Sequence, residues 1–109
     1  MNKYRAKKVV TEDGKFDSKA EYNRWLVLKA AATAGEITDL QRQVEYVLIP
    51  NQKLNGRVKE RCVKYVADFV YRRNDVQIVE DVKGKRTKEY IIKRKLMLYV
   101  HGIAIYETR

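Results

Sequence analysis

Cysteine, histidine and proline each occur once in this sequence, at Cys62, His101 and Pro50. A lone cysteine forms no intramolecular disulfide, which suits a reducing cytoplasm. A lone histidine excludes a zinc site of Cys and His ligands and any histidine-rich hydrolytic centre, so chemistry here must run on carboxylates and lysines. No apolar run approaches the roughly 18 residues that a membrane span needs. Met1-Asn2-Lys3-Tyr4-Arg5 has no apolar stretch behind it, so no secretory signal is expected. Acidic residues are also short: 14 Asp and Glu stand against 24 Lys and Arg, a net charge of +10. A domain this small does not need that charge for solubility; it implies a polyanionic partner, and nucleic acid fits better than a membrane.

The 109 residues allow one domain with one modest core, spanning 1–109. Residues 1–8, with Lys3, Arg5, Lys7 and Lys8, read as a basic N-terminal arm. An extended piece at Lys8-Val9-Val10 meets the turn dipeptide Asp13-Gly14. Ser18-Lys19-Ala20-Glu21 matches a capping box and opens a helix to about Ala34, stopped by Gly35. A strand is expected from about Asp39 to Ile49, ended by Pro50. The polar segment Asn51 to Arg61, with Asn55-Gly56, reads as a loop or hairpin tip. Strands Cys62–Arg72 and Val76–Lys83 follow. A second helix runs from Thr87 to His101, with Gly102 as its stop, and Ile103–Tyr106 reads as a final strand. The fold class is α/β (α+β): a central mixed sheet flanked by helices.

In Tyr65-Val66-Ala67-Asp68-Phe69-Val70-Tyr71 a carboxylate interrupts a buried-strand pattern, which is costly unless it has a partner. In Val76-Gln77-Ile78-Val79-Glu80-Asp81-Val82-Lys83, alternation puts Val79, Asp81 and Lys83 on one face. A tight turn at Asn74-Asp75 sets Asp68 opposite Asp81. Like charges so placed repel, and a divalent cation between them reverses the sign. Lys83 then stands where it can assist the attacking water or stabilise charge on a phosphate. Glu80 rivals Asp81 only if the loop length is odd, and it would face away from Lys83. Glu21, Trp25, Leu28 and Ala32 share one helical face; Glu21 either caps the helix or reaches the acids as a further ligand. Gln43 is a candidate accessory amide for a phosphate or a water.

Asp68 followed by Asp81-Val82-Lys83 resembles the PD-(D/E)XK nuclease signature, with Ala67 where the motif's proline stands. Lys3-Tyr4-Arg5-Ala6-Lys7-Lys8, Phe16-Asp17-Ser18-Lys19-Ala20-Glu21, Tyr65-Val66-Ala67-Asp68-Phe69 and Asp81-Val82-Lys83-Gly84 together resemble a family of small phage and prophage proteins long described only as of unknown function. The resemblance implies a restriction-endonuclease-like core. It implies Glu21, Asp68 and Asp81 as ligands of Mg²⁺ or Mn²⁺, and Lys83 as the residue assisting the nucleophile. It also implies a structure-selective DNA endonuclease, similar to Holliday-junction resolvases, acting in a bacterial host's cytoplasm. The expected partners are duplex or branched DNA and a second copy of the chain, because two cuts need two centres. Tyr22, Leu26 and Ile103–Tyr106 are candidate interface residues. No membrane and no nucleotide cofactor are expected. Candidate DNA contacts are Lys3, Arg5, Lys7, Lys8, Lys85, Arg86, Lys88, Lys93, Arg94 and Lys95, the last three on a helix whose core stripe is expected to be Ile92, Leu96 and Tyr99. The competing class is a non-catalytic basic DNA-binding module, which accounts for the charge and leaves the paired aspartates unexplained.

Overall fold

The structure, a computed structural model, describes residues 7–83 and 85–109. Its elements are β1 (Val9–Thr11), β2 (Gly14–Phe16), α1 (Lys19–Thr33), β3 (Thr38–Ile49), β4 (Gln52–Leu54), β5 (Arg57–Glu60), β6 (Val63–Arg73), β7 (Val76–Val82), α2 (Lys88–His101) and β8 (Tyr106–Thr108). β3, β6, β7 and β8 form the central sheet in that order, antiparallel except for the parallel β7–β8 pair. β1–β2 and β4–β5 are separate hairpins. This is the mixed sheet with flanking helices that the sequence implies.

Local chemistry accounts for the element ends. Ser18 Oγ accepts the Glu21 N–H and Thr87 Oγ1 accepts the Tyr90 N–H, so each helix begins on a side-chain cap. Gly102 closes α2 at φ 68°, a left-handed position that costs glycine nothing. Asn74 and Asp75 both have positive φ, 52° and 63°, which gives the β6–β7 hairpin a two-residue turn matching strand twist.

Each face of the sheet carries its own core. Leu28, Ile37, Phe69 and Tyr71 pack under α1, joined by Trp25 stacked on Phe69 at 6.0 Å. Leu48, Tyr65, Ala67, Val70, Val79, Tyr90 and Met97 pack under α2. The β1–β2 hairpin is pinned to α1 and β3: Asp13 accepts from Trp25 and Lys29, and the Arg42 guanidinium sits 3.7 Å from the centre of the Phe16 ring.

Two expectations are corrected. The stripe of α2 that meets the sheet is Tyr90 with Met97; of the expected residues Leu96 does pack on that core, while Ile92 is 58% and Tyr99 87% exposed. Apolar side chains surround this helix, so two stripes of helical spacing exist. The sheet takes the one whose tyrosine hydroxyl reaches Glu107 at 2.6 Å. The last strand lies later than Ile103–Tyr106. Ile103 and Ile105 instead pack on the α2-side core as the chain crosses the sheet edge, and only Tyr106–Thr108 pair with β7.

Candidate active site

β6 pairs with β7 from Arg73↔Val76 to Phe69↔Glu80, the register expected from the tight turn. The ladder stops one pair before Asp68 and Asp81. On the other side, β3–β6 pairing skips Gln43 and Asp68 between Arg42↔Phe69 and Val44↔Ala67. Gln43 is held at φ 53°, a strained backbone position for a residue with a Cβ. Side-chain alternation slips there: Tyr65 and Ala67 face the α2 core, whereas Phe69 and Tyr71 face the α1 core. Asp68 thus sits at a break in the ladder across which the register is unchanged. Its Oδ2 accepts the Val82 N–H at 2.8 Å, replacing the ladder bond that the break removes.

Asp81 is 3% exposed. Tyr65 Oη donates to its Oδ2 at 2.6 Å. Its Oδ1 lies 3.1 Å from Lys83 Nζ, yet this buried oxygen has no partner in hydrogen-bond geometry. Lys83 Nζ also stands 4.2 Å from the centre of the Tyr90 ring, which fixes the ammonium beside the acids. Glu21, at the first turn of α1, is 4% exposed, and its Oε1 accepts from the Gln43 amide at 3.2 Å. Burial raises the Asp68 carboxyl to about 8, with the negative charges of Asp81 and Glu21 adding to the effect. Burial also raises Glu21, helped by the Asp17 charge. Burial and the bond to Asp81 push the Tyr65 phenol far up, so it stays a donor.

Tyr65, Asp68, Asp81 and Lys83 open on a cleft of about 320 Å³ that Asp17, Gln43 and Lys93 also line, with Glu21 reaching it only through Gln43. A larger hollow of about 490 Å³ lies at the free edge of β7, between Arg24, Arg73, Gln77 and Tyr106. Among the described residues no carboxylate lines it. Glu80, the rival of Asp81, is fully used on the opposite face: it takes a bidentate pair from Arg24 at 2.6 and 3.0 Å, and hydroxyls from Tyr71 and Thr108.

The structure therefore brings Glu21, Gln43, Asp68, Asp81 and Lys83 together. Gln43 differs from its expected part, since its amide is engaged with Glu21. Tyr65 and Asp17 are additions. Alternation places Tyr65 on the face away from Asp68, and only the slip at the break reverses this. Asp17 stands beside the helix cap and carries no pattern of its own. Among the expected DNA contacts, Lys7, Lys8, Lys85, Lys88 and Lys95 are exposed. Lys93 pairs with Glu89 at 3.3 Å, while Arg86 and Arg94 converge on Glu107 at 2.8 and 3.1 Å. Lys3 and Arg5, most of the basic arm, and Gly84 lie outside the described residues.

Residues 1–105 match the model of a family described as a protein of unknown function (DUF1064). The chain belongs to that family. No curated protein matches the chain, and no solved structure does. What this DUF1064 member does must then be read from its own site. Among the described residues no group of three or more His, Cys, Asp or Glu side chains is arranged to hold a metal ion as it stands. A hard cation such as Mg²⁺ needs less: one or two carboxylates, with water and substrate oxygens completing the shell. Asp81 Oδ1, buried beside Lys83 without an aligned hydrogen bond, and the Asp68 carboxyl, whose charge burial and the nearby acids disfavour, fit that requirement. Among the described residues no helix is long and apolar enough to cross a membrane.

Proposed function

We propose that this chain is a metal-dependent DNA endonuclease of the PD-(D/E)XK type, hydrolysing phosphodiester bonds in branched DNA during phage recombination or replication. The observation that carries the reading is the buried Asp81, with one oxygen fixed by Tyr65 and the other ion-paired to Lys83 without an aligned hydrogen bond, near Asp68. Burying carboxylates this close is unfavourable in itself. A bound divalent cation would offset that cost. Asp68 and Asp81 would hold Mg²⁺ or Mn²⁺, with Glu21 at the margin. The ion, when bound, supplies Lewis-acid polarisation of the scissile phosphate and of the attacking water. Tyr65 orients Asp81, and Gln43 orients Glu21. Lys83 donates to the oxygen that gains charge as the bond breaks.

The net charge of +10 supports a polyanionic substrate. A non-catalytic module accounts equally well for that charge, but it gives no reason for the acid pair in the break of the sheet. Each chain holds one such centre, so cutting both strands of a junction calls for a two-fold dimer. Leu26, 43% exposed on α1, and the edge strand β8 are candidate surfaces for it; Tyr22 is only half-buried, between Phe16 and solvent.

A panel of linear, nicked, flapped and four-way DNAs in Mn²⁺, read beside light scattering, tests the reading. Preferential paired cuts in the four-way substrate by a dimer are expected. A protein that cuts no member in Mg²⁺ or Mn²⁺ contradicts it.

A further inference from the structure

The β4–β5 hairpin has no part in the site, and its build calls for an explanation. Every residue from 50 to 61 is exposed. Neither strand packs substantially on another element. A lone two-stranded hairpin is marginal in water, yet this one is rooted: the Cys62 N–H donates to Asn51 Oδ1 at 2.7 Å, and Asn55 and Gly56 turn the tip at φ 54° and 78°. It carries four cations, Lys53, Arg57, Lys59 and Arg61, against one carboxylate, Glu60. None of the four is ion-paired among the described residues. Leu54 and Val58, 60% and 50% exposed, leave apolar surface among them.

A second observation links the hairpin to the site. At its base lies a hollow of about 570 Å³ lined by Asn51, Val58, Lys59, Arg61, Cys62 and Lys64. Lys64 and Val66 are alternate residues of β6 and point to the same side of the sheet. Val66 lines the catalytic cleft. That side is uncovered here, because α1 packs further along on Phe69 and Tyr71. Glu45, Val47, Lys64 and Val66 are all exposed, with Lys64 paired to Glu45 at 3.1 Å. An open tract therefore runs from the cleft to the hairpin base.

We propose that the β4–β5 hairpin is a DNA-contacting arm that grips the duplex beyond the cut. This rests on the nuclease reading for its ligand, and charge complementarity names that ligand as the phosphate backbone of duplex DNA. At about 3.3 Å per residue, the hairpin base stands roughly 17–20 Å from Asp68 along the strands and the tip at most about 40 Å away. One base pair rises about 3.4 Å. Arg61 and Lys59 thus meet DNA about 7 to 9 base pairs from the scissile bond, and Lys53 and Arg57 about 10 to 11. A two-stranded ribbon is also of a size that the major groove admits.

The test measures binding in EDTA, apart from cleavage. Wild type, Lys59→Ala with Arg61→Ala, and Lys53→Ala with Arg57→Ala are titrated by fluorescence anisotropy against duplexes with arms of different length, over a range of salt. All four positions are exposed, and thermal melting checks that each variant folds. Each variant is expected to flatten the log–log salt slope by about two units and to weaken binding roughly 30-fold at 0.15 M salt. The tip variant should show its loss only on arms longer than about 10 base pairs. Wild-type slopes and affinities in both variants overturn the arm and leave the nuclease reading standing. A change of oligomeric state without a change of slope assigns the arm to a second copy and also overturns it. A wild type that neither binds nor cuts DNA overturns both.

Discussion

Asp68 is placed where its charge works against the fold, because burial and the nearby acids disfavour the ionised carboxyl. Its carboxyl is raised to about 8 in the fold, against about 3.9 for a free aspartate. Its contribution to stability is fully present below the unfolded value and is lost as pH rises through the folded one. Asp68→Asn keeps an oxygen for the Val82 N–H and removes the charge. The metal-free variant should melt above wild type at pH 8, by roughly 4 °C or more, and the gap should close towards pH 4. A variant that melts lower at pH 8 removes the account of stored repulsion. Tyr65→Phe tests orientation at the same scale. It deletes the 2.6 Å donor to Asp81 while keeping the ring in the core. The Mg²⁺ concentration for half-maximal cleavage should rise about 10–100-fold, as for other groups that orient ligands. A lower rate at unchanged metal dependence assigns Tyr65 to packing alone.

At the scale of elements, ends and turns are legible in the sequence because they depend on single residues. Ser18, Thr87, Gly102 and Asn74-Asp75 each act locally and land as expected. The acid pair is legible for the same reason, since the turn fixes the register and alternation fixes the faces. What escapes is decided by neighbours. The break at Gln43 and Asp68 reverses the alternation of β6, and no composition signal precedes it; Tyr65 is missed for that reason. The choice between two apolar stripes of α2 falls to Tyr90, through a bond to Glu107 on a strand 17 residues away. Glu107 is the clamp of this corner. The hydrogen bond from Arg86 holds its carboxyl down to about 2, together with Tyr90 and Arg94. A depressed carboxyl contributes stability above its unfolded value and loses it as pH falls through the folded one. Glu107→Gln should therefore cost about 1 kcal/mol at pH 7, with exposure limiting the cost. The difference from wild type should vanish near pH 2. A constant difference across that range removes the charge-based account of how β8 is held.

For the whole molecule, cores on both faces of the sheet hold a cleft of acids at one break in its ladder, within a chain of net charge +10. The radius of gyration, 15.9 Å, exceeds the roughly 13 Å of a compact chain of this length. Fold and charge alone are compatible with a binding module. Only the chemistry at Asp68, Asp81 and Lys83 separates an enzyme from it. The most direct measurement incubates a four-way DNA junction with wild type, Asp81→Asn and Lys83→Ala in Mn²⁺, with and without chelator. Wild type should cut, chelator should stop it, and each variant should be slower by about 100-fold or more while still binding the junction. Cleavage at the wild-type rate by both variants, or none by a wild type that binds the junction in Mn²⁺, contradicts the account.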